Sequence, residues 1–240
     1  MAKRSIPSLN EDFVNVLAFL QGRGIISDSP TRLQIENAKR IHSATHSLIL
    51  WRFRLGNIPE HGKAFVEEIA SDALQILPQV FVGYTKTPKL LMRGIIENTL
   101  RHIYFSDHLI EFIRMNSEKK WYISTEDLFE YARTHPVLCR AESRFDGINR
   151  IKSLYSELSA GIHGSRVADL EMRVALEKIV YEEQETSRQV ALVERCAEAS
   201  NFLLSIYQRN RFASFDLESR RIILRTMDAR ARTIWSEIDS

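Results

Sequence analysis

Residues 148–165 read INRIKSLYSELSAGIHGS, and this stretch determines the class of fold. Its apolar residues recur every three or four positions, which is the period of a helix with one buried face. They are Ile148, Ile151, Leu154, Tyr155, Leu158 and Ile162. The helix is expected over residues 145–161, and it places His163 between two glycines at its carboxyl end. Any chemistry in this stretch is expected to involve that histidine.

The rest of the chain has the same helical period, and no segment alternates with period two for long enough to be a strand. The sequence therefore predicts an all-α multi-helix bundle. Residues 1–165 are expected to form the bundle core. After residue 165, long charged helices replace shorter apolar ones, so residues 166–240 are expected to form a helical hairpin packed on the core or on a second copy. The other helices are expected over residues 10–21, 31–55, 59–82, 88–105, 107–115, 124–134, 168–208 and 216–238.

Composition is that of an ordinary globular protein. The chain has 240 residues, of which 44% are hydrophobic and 27% are charged, and its formal net charge is +2. The two cysteines lack CxxC spacing and histidine partners, so neither a disulfide nor a zinc site is predicted. No apolar run reaches the roughly 20 residues that a membrane span requires. We therefore expect a cytoplasmic protein that does not enter a membrane.

Several common chemistries lack their motifs in this chain. It contains no glycine-rich phosphate loop with its lysine, no GxGxxG after a strand, no HExxH and no GxSxG. These absences argue against nucleotide-binding, zinc-protease and serine-hydrolase functions. No cofactor and no metal site is predicted.

A charged stripe lies on the helix expected over residues 88–105. Arg93, Glu97 and Arg101 recur every four residues, so they share one face beside His102. The flanking sequence, LLMRGIIENTL, is strongly apolar, and it includes a glycine that would let another helix approach closely. The stripe is therefore expected to lie against protein. It is either a row of salt bridges or part of a site.

These residues give the chain a resemblance to the HEPN superfamily of prokaryotic helical-bundle proteins over residues 90–165. The helix with Arg93, Glu97 and Arg101 resembles the arginine- and glutamate-bearing helix of that superfamily. The segment LYSELS that leads to His163 resembles its closing signature. The resemblance implies an all-α homodimer. In many members it also implies a metal-independent endoribonuclease of an antiviral defence, abortive infection or toxin module.

The usual active motif of the superfamily is an arginine and a histidine separated by four to six residues. His163 has no arginine at that distance. Arg101 with His108 is the best match to the motif, because a polar residue follows the arginine and the surrounding helix has the superfamily's pattern. The three pairs considered are Arg101 with His108, Arg40 with His46, and Arg54 with His61 across an expected loop.

The resemblance implies a mechanism that needs no metal. A base removes the proton of a ribose 2′-hydroxyl, which attacks the neighbouring phosphate, and an acid protonates the leaving oxygen. Either His163 or His108 would be the acid or base, since histidine exchanges protons near neutral pH. Arg101 would bind the phosphate and Glu97 would orient Arg101. The candidate RNA contacts are Arg93, His102, Tyr155, Arg221 and Arg225.

The same residues also permit a function without catalysis. The chain would then be a helical adaptor or regulatory subunit that binds a larger effector or a nucleic acid, and the lack of a motif arginine near His163 favours this alternative. A DNA regulator is less favoured, because no short helix-turn-helix with a basic second helix stands out. The expected partners are a second copy of the chain, RNA, or a protein encoded in the same operon.

Overall fold

The computed structural model of the protein describes residues 8–140, 146–163 and 175–237. Within these ranges the chain forms eleven α-helices, one short 3-10 helix at Leu176–Lys178 and no strand, which confirms the predicted all-α class. The α-helices are α1 (Leu9–Gly22), α2 (Arg32–Arg54), α3 (Glu60–Val82), α4 (Lys86–Asp107), α5 (Leu109–Ser117), α6 (Thr125–Thr134), α7 (Gly147–His163), α8 (Glu183–Tyr207), α9 (Arg209–Ala213), α10 (Leu217–Arg225) and α11 (Ala229–Glu237).

Polar side chains set the beginnings of several helices. The hydroxyl of Thr31 accepts the backbone N–H of Gln34 at 3.1 Å, and the Gln34 side chain accepts the Thr31 N–H at 2.8 Å. Ser8 forms the same reciprocal pair with Glu11, so α1 begins one residue before the position that the sequence indicated. Each cap satisfies backbone donors that the first turn leaves unpaired.

Two glycines allow α3 and α4 to pack closely. A Cβ atom added to Gly62 would lie 2.6 Å from Ser106 Oγ, and one added to Gly94 would lie 2.6 Å from Asp72 Oδ2. A larger residue at either position would therefore force the neighbouring side chain to move. These two helices form the most extensive pair in the described structure. The close approach at Gly94 agrees with the expectation from the sequence.

α8 lies against α2 and α4 and contributes to one hydrophobic core shared with the amino-terminal helices. A buried polar network joins these parts of the chain. Asn201 of α8 accepts a hydrogen bond from the indole of Trp51 at 2.7 Å, and its amide donates to Ser47 Oγ at 2.7 Å and to Thr226 Oγ1 at 2.9 Å. The carboxyl-terminal part of the chain therefore packs on the amino-terminal helices within a single copy.

The carboxyl-terminal region differs in detail from the expected hairpin. Residues 164–174 lie outside the described ranges, and α8 begins only at Glu183. The helix expected over 216–238 is divided in two, because Asp228 accepts the backbone N–H of Ala231 at 2.6 Å and begins a new helix there. Glu198 of α8 in turn accepts the Asp228 N–H at 2.9 Å, which anchors this break to the bundle. A tertiary contact of this kind leaves no mark in the local sequence period.

α5 is a surface helix with an apolar outer side. None of its residues is buried, and Leu109, Ile110 and Ile113 are 50%, 71% and 55% exposed. Within the described residues, no helix is both long enough and apolar enough to cross a membrane.

Candidate functional site

One side of α4 carries the residues that the sequence singled out. At 100° per residue, their positions span about 80° around the helix axis, so they form a single row. α6 and α7 pack beside this helix and provide neighbours to the row. We refer to the row as the α4 stripe. It comprises Arg93, Glu97, Arg101 and Tyr104 of α4, together with His108, the residue that directly follows the helix.

The amino-terminal end of the α4 stripe is closed by Tyr155 from α7. Arg93 Nε donates to Glu97 Oε1 at 3.1 Å and to the Tyr155 hydroxyl at 2.8 Å, and that hydroxyl donates to the same Glu97 oxygen. The Arg93 guanidinium also lies 5.1 Å from the centre of the Tyr155 ring. Burial and the hydrogen bond to Glu97 raise the pKa of Tyr155, so the phenol stays protonated. This end of the stripe lies against protein, and its charged groups already have partners.

Arg101 has a more open environment. Its side chain is 37% exposed, and its Nη2 is 3.9 Å from Glu97 Oε2, which is too long for a hydrogen bond. Its Nε is buried and has no hydrogen-bond partner in the described part of the chain. Because Glu97 makes its short bonds to Arg93 and Tyr155, it holds Arg101 less closely than the sequence analysis assumed. Arg101 therefore retains N–H donors for an anion.

The tautomer of His108 is fixed by the backbone. Its Nδ1 lies 2.8 Å from the carbonyl oxygen of Tyr104. Since a carbonyl only accepts hydrogen bonds, Nδ1 carries the proton, and Nε2 holds the lone pair of the neutral ring. The imidazole stacks on the Tyr104 ring at 4.2 Å and meets the edge of the Tyr131 ring at 4.8 Å. His108 is therefore an oriented, partly exposed base.

A carboxylate next to this histidine joins three helices. Asp107 accepts hydrogen bonds from the hydroxyls of Tyr131 and Tyr207, at 2.8 and 3.0 Å, and from His135 Nε2 at 3.1 Å. His135 Nδ1 accepts the backbone N–H of Val137 at 3.2 Å, so both ring nitrogens are occupied. Burial and the neighbouring carboxylate raise the pKa of both tyrosines. This cluster was not predicted from the sequence, because its residues belong to separate parts of the chain and no regular spacing along the sequence connects them.

His102 cannot have the role in RNA binding that the sequence analysis assigned to it. The residue is fully buried, its Nδ1 donates to the carbonyl of Gly62 at 2.9 Å, and its Nε2 accepts from the amide of Gln208 at 3.0 Å. Burial lowers its pKa to about 4, so the ring is neutral at pH 7. His102 is a structural residue of the α3–α4 contact.

The remaining candidates for the RNA site are one histidine, whose side chain is outside the described part of the chain, and two arginines on another helix. His163 is the last residue of α7, and its side chain lies outside the part of the chain that the structure describes. Arg221 and Arg225 are exposed on α10, which packs mainly on α2 rather than on α4. They would contact only a nucleic acid that extends over another part of the surface.

The two other arginine and histidine pairs have arginines engaged in ion pairs. Arg40 Nη2 lies 2.6 Å from Glu194 Oε2, and Arg54 Nη2 lies 2.5 Å from Asp216 Oδ2. Both arginines therefore tie α2 to later helices, and Arg101 with His108 stays the best match to the motif.

A second group of polar residues was also missed. Asp12 of α1 lies between two histidines of α2, with its Oδ2 2.8 Å from His42 Nε2 and 3.1 Å from His46 Nδ1. Each of the three residues offers one atom that could bind a metal ion, and these three atoms lie within 4.8 Å of one another. In the described ranges, this is the one group of residues with that arrangement. The sequence HSATH, with histidines four residues apart, was the available signal.

The comparisons with known proteins give no relative for this chain. No protein-family model matches it. No curated protein and no solved structure gives a significant match. The HEPN resemblance therefore stays a prediction from the sequence.

Proposed function

We propose that the chain is a HEPN-like, metal-independent endoribonuclease of a prokaryotic defence system, with the carboxyl-terminal half of the α4 stripe as its site. The observation that supports this most directly is the state of two neighbouring groups. In the described part of the chain, no hydrogen bond occupies the Nε2 lone pair of His108. The Arg101 side chain is 37% exposed, and its Nη2 is too far from Glu97, at 3.9 Å, for a hydrogen bond. Arg101 lies on the same side of α4 as His108, which directly follows that helix about 10 Å further along the axis.

In the proposed reaction, His108 Nε2 removes the proton of a ribose 2′-hydroxyl. The resulting oxygen attacks the adjacent phosphorus, the bond to the 5′-oxygen breaks, and a 2′,3′-cyclic phosphate forms. Arg101 stabilises the charge that develops on the phosphate oxygens. A second histidine protonates the leaving 5′-oxygen. His163, or His108 of a second copy, would be that acid.

The cluster of Asp107 with Tyr131, His135 and Tyr207 would support the proton transfer by holding the His108 ring in place. Tyr131 contacts the His108 ring and donates to Asp107, so the ring is held by a side chain that is itself fixed. An imidazole in a defined orientation loses less entropy when it reaches the transition state.

The test uses the full chain, purified and incubated with total RNA and tRNA in excess EDTA. We expect cleavage that leaves 2′,3′-cyclic phosphate ends. His108→Gln and Arg101→Ala should each reduce the rate by about 100-fold or more, the usual effect of removing such groups. His61→Gln is the matched control, because His61 lies elsewhere, against the Phe112 ring at 6.1 Å. Equal cleavage by His108→Gln and the unmodified chain would contradict the proposal.

The apolar surface of α5 favours a second candidate function, a non-catalytic adaptor. Ile110 is 71% exposed and Ile113 is 55% exposed, and such side chains side by side are typical of a surface that another protein covers. An adaptor would leave RNA intact in every condition and would co-purify with a protein from its operon. Ile110→Asp should then release that protein. If the chain is instead a homodimer through α5, the same variant should elute as a monomer.

A further inference from the structure

The site formed by Asp12, His42 and His46 is distinct from the α4 stripe. His42 and His46 are 4% and 7% exposed, and they lie one helical turn apart on α2, so their imidazoles leave the helix in the same direction. Asp12 approaches from α1 and places a single carboxylate oxygen between them. Two helices thus bring three different side chains to one point.

Hydrogen bonding leaves part of each imidazole unsatisfied. His42 Nδ1 and His46 Nε2 are buried, and neither has a hydrogen-bond partner in the described residues. Each ring therefore makes its side-chain hydrogen bond to Asp12 alone. A buried polar group with an unmet hydrogen bond costs roughly 1–3 kcal/mol. The candidate ligands are the other two nitrogens, His42 Nε2 and His46 Nδ1, which face the Asp12 oxygen.

A small apolar pocket of about 180 Å³ adjoins these residues. Phe19 and Leu74 are each 57% exposed and stand at its mouth, while Leu20 and Leu77 form its inner wall. The pocket gives access from solvent to the point where the polar side chains meet. An apolar cavity with a few convergent polar groups is the usual form of a ligand site.

The distances are compatible with one ion. Ligand atoms that bind a zinc ion at about 2.0 Å lie roughly 2.8 Å apart at an octahedral angle and 3.3 Å apart at a tetrahedral one. The Asp12 oxygen is 2.8 and 3.1 Å from the two ring nitrogens, which are also the lengths of its hydrogen bonds to them. The two nitrogens lie within 4.8 Å of each other, so the side chains would rotate to bring all three ligand atoms around one cation. Two imidazoles and one carboxylate form a ligand set typical of zinc and ferrous iron.

We propose that Asp12, His42 and His46 bind one divalent transition-metal ion per chain, with its open coordination positions facing the apolar pocket. The protein supplies three ligands, so water or a small molecule with one oxygen or nitrogen donor and an apolar body completes the coordination. The ion also links α1 to α2. This site is separate from the RNA chemistry, which is tested with a chelator present.

The experiment uses the full chain after EDTA treatment and dialysis. Zn²⁺ binding is followed by titration calorimetry and by thermal unfolding, and Co²⁺ binding by its visible absorption. Fe²⁺ is added without oxygen as the third probe. We expect one ion per chain, a higher Tm with the metal, and a Co²⁺ spectrum typical of nitrogen and oxygen ligands.

Two variants and one control make the result specific. Asp12→Asn keeps the shape of the side chain and still accepts a hydrogen bond, so the fold should persist while Zn²⁺ binding weakens by about 100-fold or more. His46→Gln should do the same. His61→Gln should bind as the unmodified chain does, and Asp12→Asn should leave cleavage of RNA in EDTA unchanged.

Either of two results would overturn the metal site. One is that the folded, unmodified chain binds none of the three ions. The other is that Asp12→Asn and His46→Gln, with normal circular dichroism, bind Zn²⁺ as tightly as the unmodified chain. Neither result affects the ribonuclease proposal. That proposal fails if His108→Gln cleaves RNA in EDTA as fast as the unmodified chain does.

Discussion

The two sides of α4 differ in what their histidines can do. On the buried side, His102 has both ring nitrogens bonded, one to a backbone carbonyl and one to a glutamine amide. On the outer side, six residues later and directly after the last residue of α4, His108 has only Nδ1 bonded among the described residues, and its Nε2 is available. The sequence presents both as histidines on one helix. The difference shows that the unoccupied atom, rather than the residue type, distinguishes a candidate base from a structural residue.

The largest expected effect separates these two roles directly. His102→Ala removes two hydrogen bonds from the interior and leaves Gly62 and Gln208 with unmet partners. We expect it to lower the free energy of unfolding by about 3–4 kcal/mol, whereas His108→Ala should lower it by about 1 kcal/mol or less. Urea unfolding followed by circular dichroism measures both. Similar losses for the two variants would remove the distinction.

The next effect is the pH dependence of stability that the buried His102 should cause. Burial lowers the folded-state pKa of His102 to about 4, while the unfolded chain binds a proton near pH 6.5. Stability from this group is therefore complete above pH 6.5 and falls as the pH drops toward 4, by at most about 3 kcal/mol. His102→Leu should flatten the unfolding curve over this range.

The smallest effect concerns the carboxyl group of Asp72, which belongs to α3 and lies against Gly94 of α4. Burial, with a smaller contribution from Glu68, raises the pKa of Asp72 to about 6. A raised pKa means that the folded state holds the proton more tightly, so this group reduces stability as the pH rises through 6. Because solvent reaches part of the group, Asp72→Asn should raise the free energy of unfolding by only about 1 kcal/mol at pH 7.5.

The control for Asp72→Asn is the same measurement near pH 3.5. There the carboxyl is protonated in the folded chain and largely protonated in the unfolded chain, so the variant should gain little over the unmodified protein. As the pH rises from 4 to 6, Asp72 lowers the free energy of unfolding, whereas His102 raises it. The two effects are therefore separated by comparing variants, because one pH titration of the unmodified chain measures only their sum. A gain of equal size at both pH values would contradict the proposed cause.

Periodicity predicted the helices of the amino-terminal part of the chain better than those after residue 165, and it did not predict the groups that meet between helices. The starts of α2 and α6 lie one residue after the expected positions, because Thr31 and Ser124 are the caps themselves and a cap is a local interaction. The break at Asp228 was not predicted, because the bond that anchors it comes from Glu198 thirty residues away. The cluster around Asp107 was not predicted either, because its partners are also far away in the sequence.

The candidate site was predicted in part. The spacing of Arg93, Glu97 and Arg101 predicted one face of α4, and the pair Arg101 and His108 came from the resemblance to the HEPN motif. Spacing could not show that Glu97 would be bonded to Arg93 and Tyr155, or that His102 would be buried. The pair His42 and His46 had a readable spacing, but only the approach of Asp12 from another helix gives it a chemical meaning.

The sequence by itself determined that this protein is a bundle of helices, because apolar periodicity and capping are properties of neighbouring residues. Only the tertiary structure decided which polar groups are satisfied and which remain available, because that depends on the helices that pack around each side chain. A histidine can therefore be recognised in the sequence, but the available nitrogen of His108 and the convergence of His42, His46 and Asp12 are properties of the packed molecule.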